Sequence, residues 1–301
     1  RSIMLHSVFG ISGSVFSWNL LSDFQDMWQY DFIRHAFEAG TVVAIVAGVI
    51  GYFVVIRRLS FAAHALSHIG FAGAAGAVVF GLSPLFGLFT FTSLGGIAMA
   101  SLGRKAASRD VQIGTVLAFM LGLGVLFITL YKGYASEAYS LLFGEILGIS
   151  SGDVLTTALV GLVVLIAVAV VYRRLLFSSL DEDVAEAKGI SMVGMGAIFM
   201  LLVAVATSIS VQVVGVLLIF ALLVTPAAIA QQLARRPSEA ISISVAVALL
   251  STWAGLFASY YLPYPVSFFI TTIVFILYLS ARLLSKLRSN GRYDATSNID
   301  S

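Results

Sequence analysis

The chain has 301 residues, 59% of them hydrophobic and 11% charged, with net charge +2, mean hydropathy +1.01 and no cysteine. A water-soluble domain covers itself with about 25% charged residues, so most of this surface faces lipid. The same figures exclude a nucleic-acid partner, a separate soluble domain and any thiolate metal site, so a metal ligand here must be imidazole nitrogen or oxygen.

Residues 1–37 carry Trp18, Phe24, Trp28, Tyr30 and Phe32, amphipathic aromatics of the kind that lie at a membrane–water boundary. No small-residue cleavage site follows an apolar core, so they read as an extracytoplasmic or interfacial leader. Apolar runs bounded by charge or by Gly and Pro then predict spans near 38–56, 62–80, 85–103, 111–131, 153–172, 191–207, 211–230, 240–261 and 265–283. With the leader outside, fourteen of the seventeen Lys and Arg fall inside, and Arg1, Arg34 and Lys132 fall outside. That bias orients the chain with its N-terminus out and its C-terminus in the cytoplasm. The fold class is therefore an all-α polytopic membrane protein of about nine transmembrane helices. A short link at Thr207–Ser210 and the stretch 135–152 leave the count between eight and ten. The transmembrane domain is predicted over 38–285, and residues 286–301 as a disordered cytoplasmic tail.

Tight outer turns are predicted at Gly81-Leu82-Ser83-Pro84 and Leu262-Pro263-Tyr264-Pro265. The half-apolar outer stretch 136–148 reads either as a short helix on the outer face or as an ordinary interfacial loop. On the inner side, 178–190 reads as a short amphipathic helix. Ser179 is its expected cap, the acids at 181–183 suit its N-terminal end, and Gly189 is its stop. Leu180, Val184 and Ala187 are expected on its apolar side. Such a helix is either a solvated connection or a docking element for a cytoplasmic partner. Small residues crowd the spans, among them Gly48, Gly51, Gly70, Gly73 and Gly76, and they suit close helix packing.

Charge inside a membrane is costly and usually functional. His64 and His68 fall in the second predicted span at i,i+4, which puts both rings on one helical face with Cβ atoms about 5–6 Å apart. Two imidazoles so placed can hold a divalent cation, or each can bond a neighbouring helix. Glu38 opens the first span, Asp153 the fifth, and Gln212, Thr207, Ser208 and Ser210 offer neutral oxygens. Pro226 is expected to kink the seventh span and is a hinge candidate. No phosphate-binding Gly-x-x-x-x-Gly-Lys-Ser/Thr, no His-Glu-x-x-His and no nucleophile motif occurs, so the chain reads as a non-enzyme.

Several stretches in order resemble the permease family of ABC importers for manganese, zinc and iron. They are Phe32–Phe37, Gly48–Ser60 with the His64–His68 helix after it, Phe143–Gly148, Leu180–Gly189, and Val214–Leu218 through Leu223–Ala227. The resemblance implies a compact permease bundle in a bacterial-type inner membrane. It implies a homodimer served by two cytoplasmic ATPase subunits and an extracytoplasmic solute-binding protein. It makes Leu180, Asp181, Glu182, Asp183, Val184, Ala185, Glu186, Ala187, Lys188 and Gly189 the coupling helix, and the His64/His68 helix the transit site, with Glu38 as a guide. No cofactor is implied beyond transported Zn2+ or Mn2+, with Fe2+ a further candidate. Many members carry Gly-Asp where this chain has Ala63-His64, and two imidazoles tilt the expectation slightly toward zinc. A gradient-driven transporter and a non-transport scaffold are the rival readings. The first requires mid-span carboxylates, which are missing here.

Overall fold

The computed structural model of the protein describes residues 27–101, 106–130, 144, 146 and 148–297. Trp18, Phe24, Arg104, Lys105, Lys132, Glu137, Glu145 and most of the 136–148 stretch lie outside the described residues. The helices are α1 Asp31–Ile56, α2 Ser60–Val79, α3 Pro84–Ser101, α4 Ala106–Leu130, α5 Ser151–Leu180, α6 Glu182–Ala187, α7 Met192–Leu233, α8 Pro237–Tyr261 and α9 Val266–Ser297. No strand occurs among the described residues. Three helices overrun the predicted spans by seven residues or more, α1 starting at Asp31, α5 continuing to Leu180 and α9 continuing to Ser297.

Eight of these helices are long and apolar enough to cross a membrane, and α7 supplies two crossings. Its 42 residues would reach about 63 Å if straight, twice the roughly 30 Å hydrocarbon core. Instead the chain turns back within it. Near its start, Phe199 lies under the Arg57 guanidinium at the end of α1. Gln212 donates to Asp153 at the start of α5 at 2.9 Å. Gln231 then lies back beside Arg58 and Leu180. The reversal falls at Gly215, whose φ of 80° and ψ of 164° are not helical and are open essentially to glycine alone. The predicted break at Thr207–Ser210 is therefore corrected: those residues are helical and buried, and the turn waits for the residue that can make it. Nine crossings result among the described residues.

The doubled helix α7 is the centre of the bundle and packs against α1, α2, α3, α5, α8 and α9. The outer helices meet it through one stripe each. On α5 the buried residues Thr157, Gly161, Val164, Val168 and Leu175 recur at three- and four-residue steps, while Leu155, Leu159, Leu162, Val163, Ile166 and Val170 are exposed. In lipid that pattern is inverted relative to a soluble core only in what the far face meets. Close approach takes the place of a hydrophobic drive between helices. A Cβ on Gly51 would stand 1.9 Å from the Leu223 carbonyl oxygen, so α1 and the second half of α7 touch backbone to backbone. Some hydroxyls inside the spans bond back one turn, as Thr92 does to Leu88 and Ser208 to Ala204, and these two also bond each other at 2.7 Å between α3 and α7.

Candidate functional site: a histidine pair and the arginine end

His64 and His68 stand in the first three turns of α2, close to the turn from α1. Their rings are edge to face, centroids 4.7 Å apart at 88°. Phe220, from the second half of α7, packs against His64 at 4.7 Å. Both rings are half-buried, and each Nδ1 is buried without a hydrogen-bond partner. A buried imidazole nitrogen with no partner is costly, and here two such nitrogens stand on adjacent turns of one helix. Neither Nδ1 is therefore consumed in a hydrogen bond between helices. Ser67, between them, is not free in this way, since its hydroxyl donates to the His64 carbonyl at 2.7 Å.

Glu38 is not brought to this pair. It is exposed in the second turn of α1, about 27 Å along that helix from Ile56, after which the chain passes to α2. Among the described residues no group of three His, Cys, Asp or Glu side chains is placed to hold one ion. Asp153 is likewise distant, closing a capping box with Ser150 at the start of α5. It accepts from Gln212, a bond that ties α5 to the reversal of α7. Pro226 lies inside α7 with helical residues on both sides, and the non-helical residue of that helix is Gly215. Neighbouring helices and local adjustment accommodate such a proline in a membrane span.

At the end of the bundle below the histidines, α5 runs into Asp181 and then the six-residue α6. The expected cap Ser179 instead closes the last turn of α5, donating to Leu175, and the Asp181 carboxylate caps α6 by accepting from the Val184 N–H at 3.0 Å. Asp and Ser cap equally well, so geometry chooses between them. Gly189, at φ +80°, follows the C-terminal residue Lys188 as the sequence suggests. The apolar side differs from expectation. Ala185 is fully buried, whereas Leu180 and Val184 are 61% and 43% exposed, as are Asp181, Glu182, Asp183, Glu186, Ala187 and Lys188. This end thus presents a small knob, part apolar and part acidic, with Ala185 its buried residue and the Lys188 ammonium 4.9 Å from the Phe177 ring centre.

Arg57 holds the knob's root. Its guanidinium donates to Ser178 at 3.1 Å and Ser179 at 3.2 Å and lies 5.5 Å from the Phe199 ring centre. Burial pushes its pKa down from the usual guanidinium range, and Glu182 opposes that shift. Sequence reasoning treated Arg57 only as one of the flanking charges. Nothing in the local pattern marks Ser178, Ser179 and Phe199 as its partners, because they come from 121 residues and more along the chain.

Together these features define a multi-pass helical membrane protein with a pair of unpartnered imidazole nitrogens near one end of the bundle and a protruding short helix beyond it. The chain belongs to the ABC 3 transport family, whose pattern matches residues 29–285. It is 32% identical over 237 residues to the manganese transport system membrane protein MntC of Listeria monocytogenes, covering 78% of this chain and 84% of that one. It is 30% identical to the manganese import system permease protein ScaB of Streptococcus gordonii, over 78% and 85% of the two chains. Among solved structures, PsaBC from Streptococcus pneumoniae in complex with Fab superposes with a TM-score of 0.79 at 28% identity, over 87% of this chain and 95% of that one. The family resemblance carried by the sequence is borne out.

Proposed function

We propose that this chain is the membrane permease subunit of an ATP-driven importer for a divalent transition metal, manganese or zinc. It acts as a homodimer with cytoplasmic ATPase subunits and an extracytoplasmic solute-binding protein, its arginine-rich end in the cytoplasm and its leader outside. The carrying observation is the His64–His68 pair, whose buried Nδ1 atoms have no partner in the fold, in a chain whose relatives are named for manganese transport. Two ligands from one chain make a weak site, which suits a carrier that must release its cargo. A second copy supplies a second pair. The α6 knob receives the ATPase stroke, and Arg57 passes it to the α1–α2 turn, from which the histidine-bearing α2 starts. The reversal at Gly215, rather than Pro226, is the preferred hinge. Glu38 serves at most as an outer guide.

The test is uptake of radiolabelled manganese and zinc into vesicles holding the permease, its ATPase and its binding protein. The His64→Ala/His68→Ala double variant is expected to lose at least the ten- to hundredfold, roughly, that loss of supporting metal-site groups costs elsewhere, while basal ATP hydrolysis continues. Unchanged uptake of both ions would end the assignment. The ratio of manganese to zinc uptake in the wild-type complex names the cargo.

A further inference from the structure

Arg57 and Arg58 are consecutive yet serve different neighbours. Arg57 is hydrogen-bonded to Ser178 and Ser179, whereas Arg58 lines a groove of about 640 Å³ together with Tyr52, Leu180, Gln231, Arg235 and Arg236. Three arginines from two separate turns of chain, one after α1 and one before α8, thus converge on one concavity. Arg58 does so with φ 55°, the positive φ of a non-glycine residue among those described. That conformation closes the end of α1, the Arg58 and Leu59 N–H groups donating to the Val55 and Val54 carbonyls at 3.1 and 2.8 Å.

Other features of the groove point the same way. Arg235 and Arg236 are exposed and have no ion pair among the described residues. Glu239 accepts from the Arg235 backbone N–H at 3.2 Å. Tyr52 also lines the groove, and its hydroxyl is neither hydrogen-bonded among the described residues nor one of the sealed, unpartnered polar atoms. Arg236, the N-cap of the 25-residue α8, offers no side-chain cap, so the positive end of that helix also faces this corner. The remaining wall is apolar, with Val55, Ile56, Ala234 and Ala240 on it, and it lies where the spans α1 and α7 end and α8 begins.

We propose that this groove binds the headgroup of an anionic phospholipid. Arginine forks match phosphate oxygens, and basic pockets between spans at a membrane surface hold anionic headgroups. The apolar wall receives the first part of an acyl chain, which a soluble anion or an acidic protein loop would leave unused. A lipid seated here packs against Leu180, the residue from which the Asp181-capped α6 hangs, so it steadies the knob that meets the ATPase.

The permease–ATPase complex, stripped of lipid in neutral detergent, would be titrated with phosphatidylglycerol, phosphatidylcholine or inorganic phosphate and read by native mass spectrometry. Phosphatidylglycerol is expected to bind in preference to phosphatidylcholine. The Arg58→Gln/Arg235→Gln/Arg236→Gln variant is expected to bind it on the order of a hundredfold more weakly, at about fivefold per arginine. The matching triple lysine variant falls between, since it keeps the charge and loses the forks, and Tyr52→Phe weakens binding by about tenfold. If the glutamine variant fails to assemble, these last two proteins carry the test. Equal binding of phosphatidylcholine, undiminished binding by the variants, or displacement by an equal concentration of inorganic phosphate overturns the proposal. So does a glutamine variant that sheds its ATPase while keeping lipid, which would make the groove a protein interface. The readout uses no metal, so failure here leaves the transport reading untouched.

Discussion

The reversal inside α7 makes a strong prediction about one residue. Gly215 sits at φ 80° and ψ 164°, a region from which a side chain is nearly excluded, at a cost of about 1–3 kcal/mol. The chain cannot relax away from it, because Gly215 is buried and Gly144 packs on the same spot. A Cβ on Gly144 would stand 2.4 Å from the Val214 carbonyl carbon and 2.6 Å from the Gly215 nitrogen. Gly215→Ala is therefore expected at the upper end of that range, about 3 kcal/mol. Gly122→Ala is the control of opposite sign. Gly122 is inside helix α4, and an added Cβ there meets nothing within 4 Å, so the change should stabilise by roughly 0.5–1 kcal/mol. Thermal unfolding of the purified permease in detergent compares the two. At about 2–4 °C per kcal/mol, the soluble-domain scale, Gly215→Ala melts several degrees below wild type and Gly122→Ala slightly above it. Equal shifts for the two variants, or a wild-type melting point for Gly215→Ala, would refute the placement of the turn and with it the double crossing of α7.

Three further outcomes follow from the contacts. Ser208→Ala removes one partner of the buried Thr92 hydroxyl, which keeps its bond to Leu88, so unfolding measurements should find a loss of about 1 kcal/mol, and a double-mutant cycle with Thr92→Val a coupling below about 2 kcal/mol. Arg57→Met loses two hydrogen bonds and the stacking on Phe199, but Ser178 and Ser179 retain Leu175 as acceptor; melting and binding-protein-stimulated ATPase activity should show a loss of about 2–4 kcal/mol together with poor stimulation, partly restored by Arg57→Lys. Asp181→Ala removes the cap of α6, worth about 1 kcal/mol, and since a six-residue helix has no stability of its own, co-purification should yield less ATPase per permease while the permease itself stays folded.

The limits of local reading show at particular residues. The i,i+4 histidines were legible because one helix carries both, so their mutual placement needs only the helical repeat. Their partner Phe220 was not, because it arrives from the far side of the α7 reversal. The short helix α6 was legible from its acids and Gly189, but Ser179 and Asp181 are both good caps, and the choice between them depends on where α5 stops over Arg57. Its apolar side was misassigned for the same reason: a short helix shows which residues share a face, and only the docked position makes Ala185 the buried one. At Thr207–Ser210 the polar run suggested a loop, yet these hydroxyls lie inside the bundle, Ser208 bonding Ala204 and Thr92.

By itself the amino-acid sequence determined that this protein is a membrane bundle of about nine crossings with one end rich in arginine and one pair of intramembrane imidazoles. Those properties depend on hydropathy, charge and the helical repeat, which act within about twenty residues. Tertiary structure decided where α7 turns, that Glu38 stands far from the histidines, that Arg57 bonds the end of α5 at Ser178 and Ser179, and that Arg58, Arg235 and Arg236 share one groove. Each of these joins residues that are remote in the chain, and it is the packing of whole helices against one another that sets such distances.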